Sequence, residues 1–142
     1  MAGYPEKHYE APNLKTDLKY LKQKIDCGAD YIVTQMFFDN SKYFEFVDRC
    51  RAEGITVPII PGIKPLTSKS QMTTLPRNFF IDLPDELIDA VENCKTNDDV
   101  KNVGVEWAIH QSKELMKQKV PCLHFYSMGK STVIHQIASA LY

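Results

Sequence analysis

The sequence has no excess of either charge, no long apolar run and no paired cysteines, and each absence removes a class of protein. Its 142 residues carry 17 Lys plus Arg against 18 Asp plus Glu. Nucleic-acid binders show a basic excess or blocks of like charge, and this chain has neither. No apolar stretch approaches the roughly 20 residues that a membrane-spanning helix needs. The start, Met1 to His8, lacks the charged opening and apolar centre of a secretory signal, so a cytoplasmic protein is expected. The cysteines at 27, 50, 94 and 122 form no Cys-x-x-Cys pair and no cluster with histidine at metal-ligand spacing. A zinc site or disulfide framework is therefore not expected, and the four read as buried or half-buried free thiols. Internal repeats, low-complexity tracts and flexible linkers are also missing.

What is present is an alternation of helical and strand periods. Asn13 to Asp26 sets Leu14, Leu18, Leu21 and Ile25 at helical spacing, with Asn13 as N-cap and Gly28 just past the end. Residues 31–38, rich in β-branched and aromatic side chains, predict a strand. Ser41 to Glu53 predicts a helix ended by Gly54, and 57–63 a strand bounded by prolines. The polar stretch from Lys64 to Asn78 reads as loop or irregular helix. Asp85 to Cys94 predicts a short helix, and Asn97-Asp98 caps a long one to about Lys117. A strand over 121–127 and a helix over Ser131 to Leu141 close the chain, and Ala2-Gly3-Tyr4-Pro5 reads as the tail of a further strand.

Strands separated by helices of this length give βαβ units and a parallel α/β sheet. The nearly continuous apolar character of the strands predicts burial on both faces. A doubly wound sheet or an eight-stranded barrel would supply that, but the barrel needs about 250 residues. The chain thus reads as part of a larger domain.

Parallel α/β folds place their sites at the carboxyl ends of the strands. The candidates there are Tyr4 and His8, Thr34 and Gln35, the segment after Ile63, and Tyr126 to Lys130. Gln35 interrupts an apolar strand. Its amide is either satisfied structurally or pairs with a heterocycle bearing donors and acceptors. Asp17, Tyr20 and Lys24 share one stripe of the first helix beside its leucine face. With Tyr4 and His8 just upstream, that stripe would line a groove for a long cofactor, the carboxylate suiting a hydroxyl and the ammonium a phosphate. Tyr126 to Thr132 resembles the end of a phosphate-binding loop, but His124 stands where that motif needs glycine. Gly129 with Ser131 reads instead as a tight turn and helix N-cap. Phe37, Phe38, Phe44 and Phe46 read as packing, as do Trp107 and His110 on the long helix.

Taken in order, Ala2-Gly3-Tyr4-Pro5-Glu6-Lys7-His8, Asp17 to Lys24, Gly28-Ala29-Asp30, Thr34-Gln35-Met36-Phe37-Phe38-Asp39, Ile60-Pro61-Gly62-Ile63 and His124-Phe125-Tyr126 resemble methylenetetrahydrofolate reductase from end to end. The resemblance implies the second half of a (β/α)8 TIM barrel, from the end of strand five onward. It implies an FAD-dependent reduction of 5,10-methylenetetrahydrofolate to 5-methyltetrahydrofolate by NADH or NADPH, in one-carbon metabolism and methionine biosynthesis. By resemblance Tyr4, His8, Ala11, Asp17 and Lys24 contact FAD. Tyr20 and Gln23 occupy the remaining FAD positions on that helix, with residue types that differ from relatives. Gln35 corresponds to the pterin-binding glutamine, and Gln71, Leu75 and Tyr126 to folate-contacting positions. Lys130 stands where most relatives have arginine, keeping the charge for a glutamate carboxylate but losing the bidentate fork.

The family's proton-donating glutamate and the aspartate beside the flavin belong to earlier strands, so no catalytic residue is expected in this chain. Nor is tight FAD binding or turnover expected from it alone. With nothing beyond the last helix, the bacterial, flavin-only type is the expected match, as a homo-oligomer. A different reading is a half-barrel binding or assembly module whose copies complete each other's sheet.

Overall fold

The computed structural model describes residues 1–129 and 131–142. Four parallel strands, β1 (Ala2–Gly3), β2 (Ile32–Met36), β3 (Ile59–Ile63) and β4 (His124–Phe125), form one sheet in the order β1-β2-β3-β4. Helix α1 (Leu14–Asp26) joins β1 to β2, and α2 (Asn40–Ala52) joins β2 to β3. Three helices, α3 (Gln71–Phe79), α4 (Asp85–Glu92) and α5 (Asn97–Lys117), lie between β3 and β4, and α6 (Ser131–Leu141) follows. The order never reverses. Right-handed crossovers then all fall on one face, which is the winding of a (β/α)8 barrel and not of a doubly wound sheet.

The caps explain the helix limits. The Asn13 side chain accepts from the Thr16 amide, and Gly28 takes φ +107° past the end of α1. Helix α2 begins one residue earlier than expected because Asp39 caps it through the Ser41 amide. Helix α5 is capped by Thr96, not by Asn97 or Asp98, in a reciprocal box with Asp99. Ser131 is the first helical residue of α6 and not its cap.

Three further expectations are corrected. Residues 71–79 form a regular helix despite Pro76 in its interior, because Leu75 anchors it in the core. The last strand shrinks to His124 and Phe125, paired with β3 alone. Strand β2 is covered more fully on one face: Ile32, Thr34 and Met36 are buried, whereas Val33 and Gln35 between them are half-buried; in β3 only Ile60 is half-buried. Gln35 on the open face, with the buried Thr34 on the covered one, is what an apolar count over the whole run conceals.

The main core lies between the covered face and the helices, built on Leu18, Leu21, Ile32, Phe37, Phe46, Ile59, Ile63, Leu115 and Ile137. Each such side chain contributes about 1.5–3 kcal/mol by leaving water. A second cluster, Met36, Phe38, Leu66, Leu75, Leu87, Val91 and Val100, seats α3 and α4 against the end of β2 and α5. Trp107 belongs here, its indole N–H donating to the Phe38 carbonyl at 3.0 Å. His110 does not: it is exposed, because the buried line along α5 runs through Ala108 and Gln111. Cys50 is buried and Cys94 half-buried, but Cys27 and Cys122 are exposed, against expectation, at the ends of α1 and before β4. Among the described residues no helix is long and apolar enough to cross a membrane, and no group of three or more His, Cys, Asp or Glu is placed to hold a metal ion.

Candidate functional site

The carboxyl ends of β1, β2 and β3 open onto two recesses. The first, of about 440 Å³, lies between the β1–α1 loop and α1 and is lined by Tyr4, His8, Ala11, Asp17, Tyr20 and Lys24, over a floor of Leu18 and Leu21. The loop is built from successive turns. Lys7, at φ +78°, donates its N–H to the Tyr4 carbonyl at 3.1 Å, and its ammonium caps the Ala11 carbonyl at 2.7 Å. The His8 N–H donates to Asp17 Oδ2 at 2.9 Å, so the carboxylate fixes the loop and still presents Oδ1. The Tyr4 and His8 rings meet edge to face, with centroids 4.4 Å apart. The stripe on α1 is therefore brought together with Tyr4 and His8, as its spacing suggested. Gln23 sits exposed outside this lining.

The second recess, of about 260 Å³, gathers Gln71 and Leu75 of α3 with Tyr126 after β4, and adds Met36, Lys64 and Thr67. Gln71 Oε1 accepts from the Thr67 amide at 2.7 Å, leaving its NH₂ to donate to a ligand. The Tyr126 hydroxyl donates to the Thr34 carbonyl at 2.8 Å, and burial, then the nearby Tyr4 hydroxyl, push its pKa above the usual phenol value. Thr34, the other polar residue of β2, is structural: it is fully buried and its hydroxyl accepts from Gly62 N–H at 2.9 Å where the β2–β3 register slips.

Gln35 does not line the second recess. It borders a small space of about 10 Å³ with Glu6, Lys7, Phe79 and Phe80, while Met36 and Phe79 border both spaces and form the partition. Its Oε1 accepts from the Met36 amide at 3.0 Å, which leaves the NH₂ group as its donor. Glu6 is the residue that sequence reasoning passed over. Its Oε2 accepts from the Asp82 N–H at 2.8 Å and its Oε1 is buried without a partner. Burial, reinforced by Asp82 and opposed by that hydrogen bond, raises its pKa from 4.5 to about 7. Only its place in the loop after β1 signals it in the sequence. Lys130 lies outside the described residues. His124 is exposed within β4 itself, so the phosphate-loop pattern would begin inside a strand.

Comparison with known proteins matches the geometry to a family. A solved structure described as an uncharacterized protein from Clostridium thermocellum that binds two copies of 5-methyl-5,6,7,8-tetrahydrofolic acid superposes with TM-score 0.60 at 18% identity, over 98% of this chain and 50% of that one. The likeness is one of fold. Among curated proteins, "Probable methylenetetrahydrofolate reductase (NADPH)" of Caenorhabditis elegans is 37% identical over 99% of this chain and 21% of its own length. "Methylenetetrahydrofolate reductase (NADH) 1" of Arabidopsis thaliana is 39% identical over 91% and 24%. "5,10-methylenetetrahydrofolate reductase" of Pectobacterium carotovorum is 34% identical over 99% and 48%. The chain thus spans between about a fifth and about half of these relatives. The model of the methylenetetrahydrofolate reductase family matches residues 1–142, and the chain belongs to that family.

Proposed function

We propose that the chain is the second half of the catalytic barrel of a methylenetetrahydrofolate reductase, acting in the FAD-dependent reduction of 5,10-methylenetetrahydrofolate by NADH or NADPH. One observation carries the reading: the first recess collects Tyr4, His8, Ala11, Asp17, Tyr20 and Lys24, six of the seven positions assigned to FAD by resemblance, Gln23 being the exception. Their chemistry fits a dinucleotide. Asp17 Oδ1 would accept from a ribose hydroxyl, Lys24 would pair with a phosphate, and the Tyr4–His8 pair would offer ring faces and edges. Bound FAD supplies hydride transfer between the nicotinamide and the folate.

The chain's own residues bind and orient. Gln71 donates through its NH₂ group, Leu75 presents an apolar surface, and Tyr126, held by Thr34, walls the folate recess. Gln35 stands beyond the partition and keeps its NH₂ group as a donor, so it would reach folate only past Met36 and Phe79; by resemblance Lys130 would meet the glutamate tail. No group here is assigned the catalytic proton, so the chain alone binds weakly and does not turn over. The test is titration of the chain with FAD and, separately, with 5-methyltetrahydrofolate. Binding of both is expected, Lys24→Ala weakening FAD alone and Gln71→Ala weakening folate alone. Binding of neither ligand, or NADH-dependent turnover by the chain itself, refutes the reading.

A second reading has its own support: among the described residues β1 and β4 each pair on one side only, and Val33 and Gln35 face away from the helices half-buried. Two copies would then close each other's sheet. A flavin-free dimer mass by light scattering favours that module, and a monomer removes it.

A further inference from the structure

Two contacts tie the β1–α1 loop to the connection between α3 and α4, and neither belongs to the ligand positions given above. One is the Glu6 carboxylate on the Asp82 N–H, between residues 76 positions apart. The other is the stacking of Tyr9 on Phe80, with centroids 5.0 Å apart and planes 12° from parallel. Phe80 pays for its place, since it terminates α3 at φ +54°, a left-handed conformation that a bulky aromatic adopts only when its surroundings impose it. In that conformation its ring lies on Tyr9 and borders the small space shared with Glu6 and Gln35.

The geometry points to Glu6 as a positioning residue of the folate recess: through the Asp82 amide it clamps the end of α3, and with it Leu75 and Gln71, to the loop that carries Tyr4 and His8. This rests on the proposed folate reading, and it adds a residue that acts on the ligand only through others. The clamp adjoins the partition between the folate recess and the small space beside Glu6 and Gln35, because Phe79 of α3 lines both. A shift of that connection moves Phe79 and the α3 residues together, as a helix moves as a unit.

The clamp also has a protonation state. Charged groups face Glu6 from three elements: Asp82 from the α3–α4 connection, and Asp39 and Lys42 from the start of α2, with Asp39 opposing ionisation and Lys42 favouring it; Lys7 of its own loop borders the same space. With Glu6 protonated the carbonyl oxygen accepts from Asp82 without a buried charge. Ionised, it gains a stronger hydrogen bond but loses more to burial and to the two aspartates, so the clamp loosens as the pH passes about 7. Glutamine at this position supplies the same carbonyl acceptor with no proton to lose.

The experiment is NMR on the whole chain, following the Asp82 amide and the Leu75 methyls from pH 5.5 to 8.5, with and without 5-methyltetrahydrofolate, in wild type, Glu6→Gln and Glu6→Ala. Wild type is expected to show both probes titrating together near pH 7 and folate affinity falling severalfold across that range. Glu6→Gln is expected to hold wild-type low-pH affinity within about twofold at every pH, and Glu6→Ala to bind five- to tenfold more weakly at all pH. An Asp82 amide that ignores Glu6, or Glu6→Ala with unchanged folate affinity, overturns the assignment. If wild type binds no folate the folate part of the proposed function fails, while the joint titration of Asp82 and Leu75 still decides the clamp. Should Glu6→Ala not fold, the contrast between wild type and Glu6→Gln decides it alone.

Discussion

Replacing Gly62 by alanine is expected to destabilise the chain by about 1–3 kcal/mol and to dislodge Tyr126. A Cβ at Gly62 would stand 2.3 Å from the Thr34 carbonyl oxygen and 2.7 Å from Tyr126 Cε2, against optimal carbon contacts of about 3.5–4.0 Å. Neither neighbour yields cheaply. Thr34 is fully buried in the middle of β2, and its carbonyl is the acceptor for the Tyr126 hydroxyl. Overpacking of this kind costs about 1–3 kcal/mol, and losing the Tyr126 hydrogen bond about 0.5–1.5 more. The stiffer unfolded chain returns about 0.4–1 kcal/mol. Gly62 has no left-handed φ, so the penalty is purely steric. Gly28 is the control: at φ +107° with nothing within 4 Å of its notional Cβ, alanine there is strained by backbone conformation alone. With a urea m-value of about 2 kcal/mol/M, Gly62→Ala should lower the unfolding midpoint by roughly 0.5–1.5 M. It should also weaken folate binding, which Gly28→Ala should leave intact. A Gly62→Ala midpoint equal to or above wild type would refute the reasoning.

Three further outcomes are expected. Asp17→Ala strands the half-buried His8 N–H, costs about 1–2 kcal/mol in thermal or urea unfolding and lowers FAD affinity roughly tenfold, whereas Asp17→Asn keeps the acceptor and recovers most of the stability. Glu6 holds its proton to about pH 7 in the folded chain and to about 4.5 when unfolded. Between those values the folded state binds the extra proton, so stability should fall as pH rises through that window and level off above it. Allowing for partial solvent screening, the loss is about 1–2 kcal/mol, and urea melts of Glu6→Gln should lack it. Thiol titration with Ellman's reagent should label Cys27 and Cys122 rapidly in the native chain and Cys50 only on unfolding, since burial pushes the Cys50 thiol up to about 12.

The local signals in the sequence were strong where chemistry is local. Asn13 and Gly28 delimit α1, and the 3.6 period places Asp17, Tyr20 and Lys24 on one stripe, which is why the first recess was legible before any fold was known. Two failures came from reading one residue against its neighbourhood. Pro76 argues against a helix by its missing N–H, but the burial of Leu75 beside it outweighs that cost. His110 follows the helical pattern of Trp107, yet three residues further round α5 it faces solvent. The partition between Gln35 and Gln71 and the unpartnered oxygen of Glu6 depend on contacts between segments far apart in sequence, for which no spacing rule exists.

The strand order has a kinetic consequence. Every sheet neighbour is also the next strand in the chain, so β1, β2 and β3 can pair after closing loops of a single helix each, and only β4 waits for three. The cost of loop closure grows slowly with loop length, so the two single-helix closures cost less than the one across three helices. The chain therefore zips from its first three strands outward, and the last to arrive is the two-residue β4 that delivers Tyr126 to Thr34. On this order the folate recess, which needs Tyr126 on Thr34, is expected to be completed late in folding.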